Sequence, residues 1–325
     1  MIGEVEREKD WGKEKRDLPD GAEVSRFRGF DGQFPSKHYA GYITLGNEGN
    51  GRYMYYYFAT SERSPSEDPI VFWATGGPGC YECHYIRSCS GPFKIEEDSD
   101  YIINGVKVEL NPFRWTKVSS LVVMDALVAT EFSYSNNSED YQTHDSKTIA
   151  DIYDFVLKWL HEHPEFLSNP LYITGCSYTG AYVPTLSLEI VKESSRRDLH
   201  ARPVEVARRW KRCSDRLNYR QEKICLIQHH LNLTWRGYRA FIYSGDHDIG
   251  APYIGALEWI RRLNYTELES WRPWFIGHKI AGYTVQYEHN LLFATFKGAG
   301  HTVAEYTPHE SLVAFQRWID GANNL

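Results

Sequence analysis

An α/β fold built on a mostly parallel sheet is what this chain of 325 residues predicts, on three observations. Four short apolar runs, Ile70–Trp73, Leu121–Met124, Leu171–Ile173 and Ala240–Tyr243, are continuous rather than alternating, as in strands covered on both faces. Segments of helical period lie between several of them. Gly or polar turn residues close each run, so the strands are short and their ends are well marked.

Taken in order, residues 1–22 are charged throughout and read as a solvated lead-in without the apolar stretch of a secretory signal. Residues 23–325 read as a single domain, long enough to bury a sizeable core. Tyr42–Leu45 and Tyr53–Phe58, around a turn at Asn47–Gly51, form an antiparallel hairpin. A helix is expected over Ser146–Glu162, where Ile149, Ile152, Tyr153, Phe155, Val156, Trp159 and Leu160 keep helical spacing and Pro164 ends it. Leu171–Ile173 then runs into a tight turn and an amphipathic segment from Tyr182 to Lys192. A helix over Tyr253–Leu263, a last strand at Leu291–Phe296 and a last helix at Ser311–Ile319 follow. Only Glu193–Arg212 stands apart, dense in Arg and poor in apolar residues.

Composition narrows the function classes. Hydrophobic content of 42% and charged content of 24% belong to a soluble globular protein, and a net charge of -7 leaves no footprint for nucleic acid or an anionic membrane. No run reaches the roughly 18 apolar residues of a spanning helix. The six Cys, at 80, 83, 89, 176, 213 and 225, fit no zinc spacing, so no metal and no cofactor is expected. Asn136-Asn137-Ser138, Asn232-Leu233-Thr234 and Asn264-Tyr265-Thr266 are glycosylation acceptor patterns, which also arise by chance. His161-Glu162-His163 lacks a zinc-protease spacing and reads as a solvated helix end, and His229-His230 reads as a surface pair.

The chemistry sits at the strand ends. Leu171–Gly180 has the order strand, sharp Gly-x-Ser turn, helix, which is a nucleophile elbow presenting Ser177. Acyl transfer through serine also needs a base, an acid to orient it, and amide donors for the developing oxyanion. Asp246 and Asp248 follow the Ala240 strand, and His301 follows the last strand. Ser, Asp and His in that chain order mark the α/β-hydrolase arrangement. Gly76-Gly77 after the Ile70 strand suits a second oxyanion donor. A lone strand-end His or Asp is usually a turn residue; four such pieces in the right order point to a hydrolase-type site.

These residues resemble the serine carboxypeptidase family. The likeness rests on Trp73–Cys80, Asn111–Trp115, His163–Phe166, Gly175–Gly180, Tyr243–Asp248 and Gly300–Thr302. It covers roughly residues 24 to 192 and 204 to 320, with wording closest to the plant branch that includes acyltransferases using glucose esters. The resemblance implies Ser177 as nucleophile, Asp248 rather than Asp246 as orienting acid, and His301 as base. It implies Gly77 and Tyr178 as oxyanion donors, Thr75, Gly76 and Cys176 as substrate-binding positions, and a Cys80–Cys213 disulfide. A vacuolar or secreted location is also implied.

Departures from the family pattern shape the expected activity. Peptidases of the family bind the substrate's terminal carboxylate through an Asn and a Glu at the positions of Thr75 and Cys176, and a thiol cannot replace that acid's hydrogen bond. Acyltransferase relatives vary at these two positions, so small-molecule acyl donors and acceptors are favoured over peptide C-termini. Thr179 and Glu131 also depart, where a small residue and a Gly are usual. Finally, only 71 positions separate Ser177 from Asp248, so that Glu193–Arg212 stands where the family has a strand and a helical cap. Two outcomes are open. The Ala240 strand pairs beside the Leu171 strand, which would shift Asp248 by about 4.8 Å and break its bond to His301, or a gap stays in the sheet. An acyltransferase, a hydrolase or hydroxynitrile lyase, and a catalytically inactive relative are the readings that follow.

Overall fold

The computed structural model describes residues 21–27, 29–46, 51–74, 76–79, 90–95, 107–130, 132–193, 217–222, 225–322 and 325. Thr75, Cys80, Cys83, Cys89, Glu131 and Cys213 therefore lie outside the described residues, and with them the expected disulfide.

The chain opens with β1 (Ala22–Glu23), β2 (His38–Thr44), β3 (Arg52–Ala59) and β4 (Ile70–Ala74). Next come β5 (Phe93–Ile95), β6 (Val108–Leu110), β7 (Ser120–Met124), β8 (Tyr134–Ser135) and β9 (Gln142–His144). Helix α1 (Asp145–Glu162), β10 (Leu171–Gly175) and α2 (Thr179–Glu193) follow. After β11 (Asn218–Arg220) come α3 (Ile227–Trp235), β12 (Ala240–Gly245) and α4 (Tyr253–Arg261). The chain ends with β13 (Glu267–Ile276), β14 (Lys279–Tyr287), β15 (Leu291–Phe296), α5 (Val303–Tyr306) and α6 (Pro308–Ile319).

One sheet has the order β1-β2-β3-β7-β4-β10, with β8 also pairing β3. Its first strands are antiparallel, and β7, β4 and β10 run parallel. All five residues of β4 and of β7 are buried, which is why both are apolar at every position but Ser120. Phe72 and Val122 face Phe155, Trp159, Tyr182 and Leu186 of α1 and α2. Trp73 and Val123 face the opposite way, into a cluster with Trp115, Leu312 and Phe315.

A second sheet has the order β12-β15-β14-β13. Among the described residues β10 and β12 do not pair with each other, so the second of the two open outcomes is the one taken: a gap lies between them. Side chains bridge it in place of a strand. Trp318 of α6 packs on Tyr172 of β10 at 5.1 Å and on Phe241 of β12 at 5.7 Å, and the Arg239 guanidinium lies 4.8 Å over the Trp318 ring. Arg239 also donates to the carbonyls of Trp318 and Ile319. Helix α6 serves both halves: Phe315 stacks on Trp115 at 3.8 Å and 5°, while Ala314 enters the core of the second sheet. Such a ring pair contributes about 0.5–1.5 kcal/mol beyond its buried area.

Antiparallel pairing also joins β13, β14 and β15, which the sequence reading did not assign. Two expectations are corrected. His163 is not a solvated helix end: its side chain is 12% exposed and its ring packs, tilted by 30°, on Trp159 at 4.2 Å, and burial lowers its pKa. His230 is not a surface group either, because it stacks on Trp259 at 4.7 Å and burial lowers its pKa to about 4.

Candidate active site

Ser177 sits between β10 and α2 with φ +63°, the strained conformation that a sharp strand-to-helix turn imposes. His301 follows β15 and a glycine turn, and Asp248 follows β12. Strands from both sheets thus deliver their ends to one place. His301 Nε2 lies 2.8 Å from Ser177 Oγ, and His301 Nδ1 lies 2.8 Å from Asp248 Oδ2. A carboxylate only accepts, so Nδ1 carries the proton and donates it; Nε2 is left to accept from the serine hydroxyl. The gap in the sheet has not drawn the acid away from the imidazole.

Asp248 is held on its other oxygen by the amides of Gly250 at 2.8 Å and Ala251 at 3.0 Å. Burial pushes its carboxyl up, yet these two amides and the His301 ring together keep it below its ordinary value. Asp246 does different work. Its Oδ1 accepts from Gly298 N at 2.7 Å and so ties down the turn that carries His301.

The oxyanion candidates meet at the same place. A methyl group on Gly76 would lie 2.6 Å from Cys176 O, 2.7 Å from Ser177 Cβ and 2.7 Å from Tyr178 N, so this backbone rests directly on the serine turn. Gly77 follows with φ +125° and a cis bond to Pro78. A side chain on Gly79 would meet Leu217, Thr130 and Leu127, which form the bed of this loop. That bed is organised by Asp125 at the end of β7, which accepts from Thr130 Oγ1 at 2.7 Å, Phe132 N at 2.8 Å and Ser133 N at 2.9 Å. Burial raises the Asp125 pKa to about 7 against these bonds.

Cys176 is half-buried against the Trp73 and Trp115 cluster, with Sγ 3.9 Å from the His301 carbonyl. Neither Cys176 nor the exposed Cys225 is in a disulfide. Asn136 and Asn264 lie in exposed turns, whereas Asn232 is inside α3 with its amide bonded to Gln228 O at 2.7 Å. Among the described residues no three His, Cys, Asp or Glu side chains cluster as a metal site would need, and no helix is long and apolar enough to cross a membrane.

Sequence reasoning missed Asp145. It starts α1, is 1% exposed, and accepts from Tyr178 OH at 2.9 Å, Tyr219 OH at 2.5 Å and Glu222 N at 2.5 Å. Locally it is only an acidic residue at a helix start, a common favourable choice. Its partners lie 33 to 77 positions away, beyond any local pattern.

Comparison with known proteins accords with this geometry. The family model described as serine carboxypeptidase matches residues 29–201 and 192–321. Serine carboxypeptidase 1 of Hordeum vulgare is 31% identical over 468 aligned positions, spanning 94% of this chain and 93% of that protein. Serine carboxypeptidase-like 21 of Arabidopsis thaliana is 28% identical, spanning 94% and 95%. Both alignments are longer than the 325 residues here, so stretches of the relatives have no counterpart in this chain. Among solved structures, the Saccharomyces cerevisiae carboxypeptidase Kex1(delta)p superposes with a TM-score of 0.71 at 15% identity, over 88% of this chain and 92% of that one. At that identity the likeness bears on the fold, an α/β-hydrolase fold, and the sequence matches carry the rest: this chain belongs to the serine carboxypeptidase family.

Proposed function

We propose that Ser177 forms an acyl-enzyme and that the chain moves an acyl group from a small-molecule ester, such as a glucose ester, to a small-molecule acceptor. The observation that carries this is the unbroken hydrogen-bonded line from Ser177 through His301 to Asp248. In the reaction His301 Nε2 takes the hydroxyl proton as Ser177 Oγ attacks the carbonyl carbon. The oxyanion develops towards the Tyr178 and Gly77 amides, and the same proton then goes to the departing alcohol. The incoming acceptor gives its proton to His301, attacks the acyl carbonyl, and restores the serine.

Transfer is favoured over peptide hydrolysis by what stands at position 176. A thiol resting in an apolar cluster, its Sγ towards a backbone carbonyl, offers no acid to pair with a substrate carboxylate. The second reading, a serine-type carboxypeptidase, rests on the family and on the printed names of the barley and yeast proteins.

A fluorophosphonate probe tests the shared chemistry: labelling that disappears in Ser177→Ala is expected, and no labelling of folded wild type would reject it. Turnover of a glucose ester with an alcohol acceptor, run beside release of C-terminal residues from N-blocked dipeptides, separates transfer from peptidase action. Efficient peptide trimming would overturn the preference for transfer.

A further inference from the structure

We infer that Asp145 is a positioning residue that holds both sides of the oxyanion site in register, an inference resting on the acyl-enzyme reading above. One side is the Tyr178 amide. Its own side chain is anchored to Asp145 by the 2.9 Å phenol bond, so the residue after the nucleophile is fixed at both ends of its length. The other side is the glycine loop. Leu217 lies against Gly79, and the short strand β11 that follows Leu217 is held parallel to β9 and bonded to Asp145 through Tyr219 OH, with the Glu222 amide just beyond it bonded to Asp145 as well.

One buried carboxylate therefore gathers the nucleophile turn, the start of α1 and the segment 217–222. The neighbouring bonds tighten the same joint. Tyr182 OH meets Tyr219 OH at 2.7 Å, and the Glu222 carboxylate accepts from Ser146 N at 2.9 Å and Ser146 Oγ at 2.5 Å. Burial first and Asp145 second push the Tyr178 phenol up to about 12, so it remains a donor throughout the working range. A carboxylate accepting three bonds is a strong anchor, because each donor lost leaves a buried lone pair unmatched.

The test compares wild type with Asp145→Asn, Tyr178→Phe and the double variant, each normalised to sites titrated by the fluorophosphonate. An oxygen ester and the matching thionoester are used as substrates. Loose oxyanion donors penalise the oxygen ester most, whereas a merely structural defect scales both substrates alike. The expected result is a fall of about tenfold or more in kcat on the oxygen ester for Asp145→Asn, with KM within threefold and a narrowed ester-to-thionoester ratio. Tyr178→Phe, which removes one bond and keeps the ring, is expected to show a smaller loss, and the double variant no more than Asp145→Asn. Labelled wild type together with an unchanged substrate ratio in Tyr178→Phe and Asp145→Asn would overturn the inference. If Asp145→Asn fails to fold, Tyr178→Phe and Tyr219→Phe carry the same comparison. Absence of labelling in wild type would instead count against the acyl-enzyme reading itself.

Discussion

Gly245 lies against the carbonyl of Ala299 so closely that a methyl group added to it would sit 2.2 Å from that oxygen and 2.3 Å from Gly300 O. These are the turns that carry Asp248 and His301. Gly245→Ala is therefore expected to push them apart, lowering kcat at least tenfold and costing about 1–3 kcal/mol of stability. Phosphonylation rate and a urea midpoint measure the two effects, and an unchanged phosphonylation rate would contradict the packing described.

The two aspartates near the imidazole should separate by role. Asp248→Asn removes the acceptor that selects the Nδ1–H tautomer, and a loss of about two to four orders of magnitude in kcat is expected. Asp246→Asn keeps an oxygen for the Gly298 amide, so its loss should stay within about tenfold. Steady-state kinetics on an activated ester decide, and equal losses would refute the assignment.

Gly76 offers a direct probe of the oxyanion face. Its substitution by Ala would place a methyl 2.6 Å from Cys176 O and 2.7 Å from Tyr178 N, which forces the glycine loop and the serine turn apart. A loss of about a hundredfold or more in kcat with the fold retained is expected from circular dichroism and ester kinetics together. Near-normal turnover would contradict the close packing of the glycine loop on the serine turn.

His38 is buried, its Nδ1 is 2.7 Å from Tyr57 OH, and burial first and the Arg114 charge second lower its pKa to about 3. Unfolded, the ring has its ordinary value of 6.5 and binds protons that the folded state refuses. This contribution is fully present above pH 6.5 and is lost as pH falls towards 3, on the order of 5 kcal/mol across the window. Urea midpoints between pH 7 and 4 should fall less steeply for His38→Phe than for wild type. Parallel curves would exclude His38 as a source of acid lability.

Much of the fold was legible because its strands are unambiguous in composition. β4 and β7 are apolar at nearly every position since both faces are covered, and the serine turn announces itself through Gly175, Ser177 and Gly180. The hairpin of β13 and β14 was missed for the opposite reason. β13 is an edge strand, largely open to water, and it carries Glu267, Glu269, Arg272 and Pro273, which mask a strand pattern. Gly277 with φ +58° marks its turn and was a readable signal.

The site was legible only as a set of strand ends. That Asp248 rather than Asp246 meets the imidazole depends on where the backbone amides of Gly250 and Ala251 turn, which no local pattern carries. The burial of His163 and His230 came from Trp159, one helical turn away, and Trp259, two elements away. Asp145 stayed hidden because a carboxylate starting a helix has an ordinary local explanation.

The seam between β10 and β12 has a dynamic consequence. The two sheets pack against separate apolar clusters joined through α6, and Ser177 follows a strand of one sheet while Asp248 and His301 follow strands of the other. Loosening along that seam is expected to separate Ser177 from His301 before either sheet loses its secondary structure, so fluorophosphonate labelling should fall at a lower temperature than the far-ultraviolet dichroism signal, and coincident loss of the two would contradict this. The Ser177–His301 contact thus depends on an alignment to which Trp318 contributes by packing on both β10 and β12.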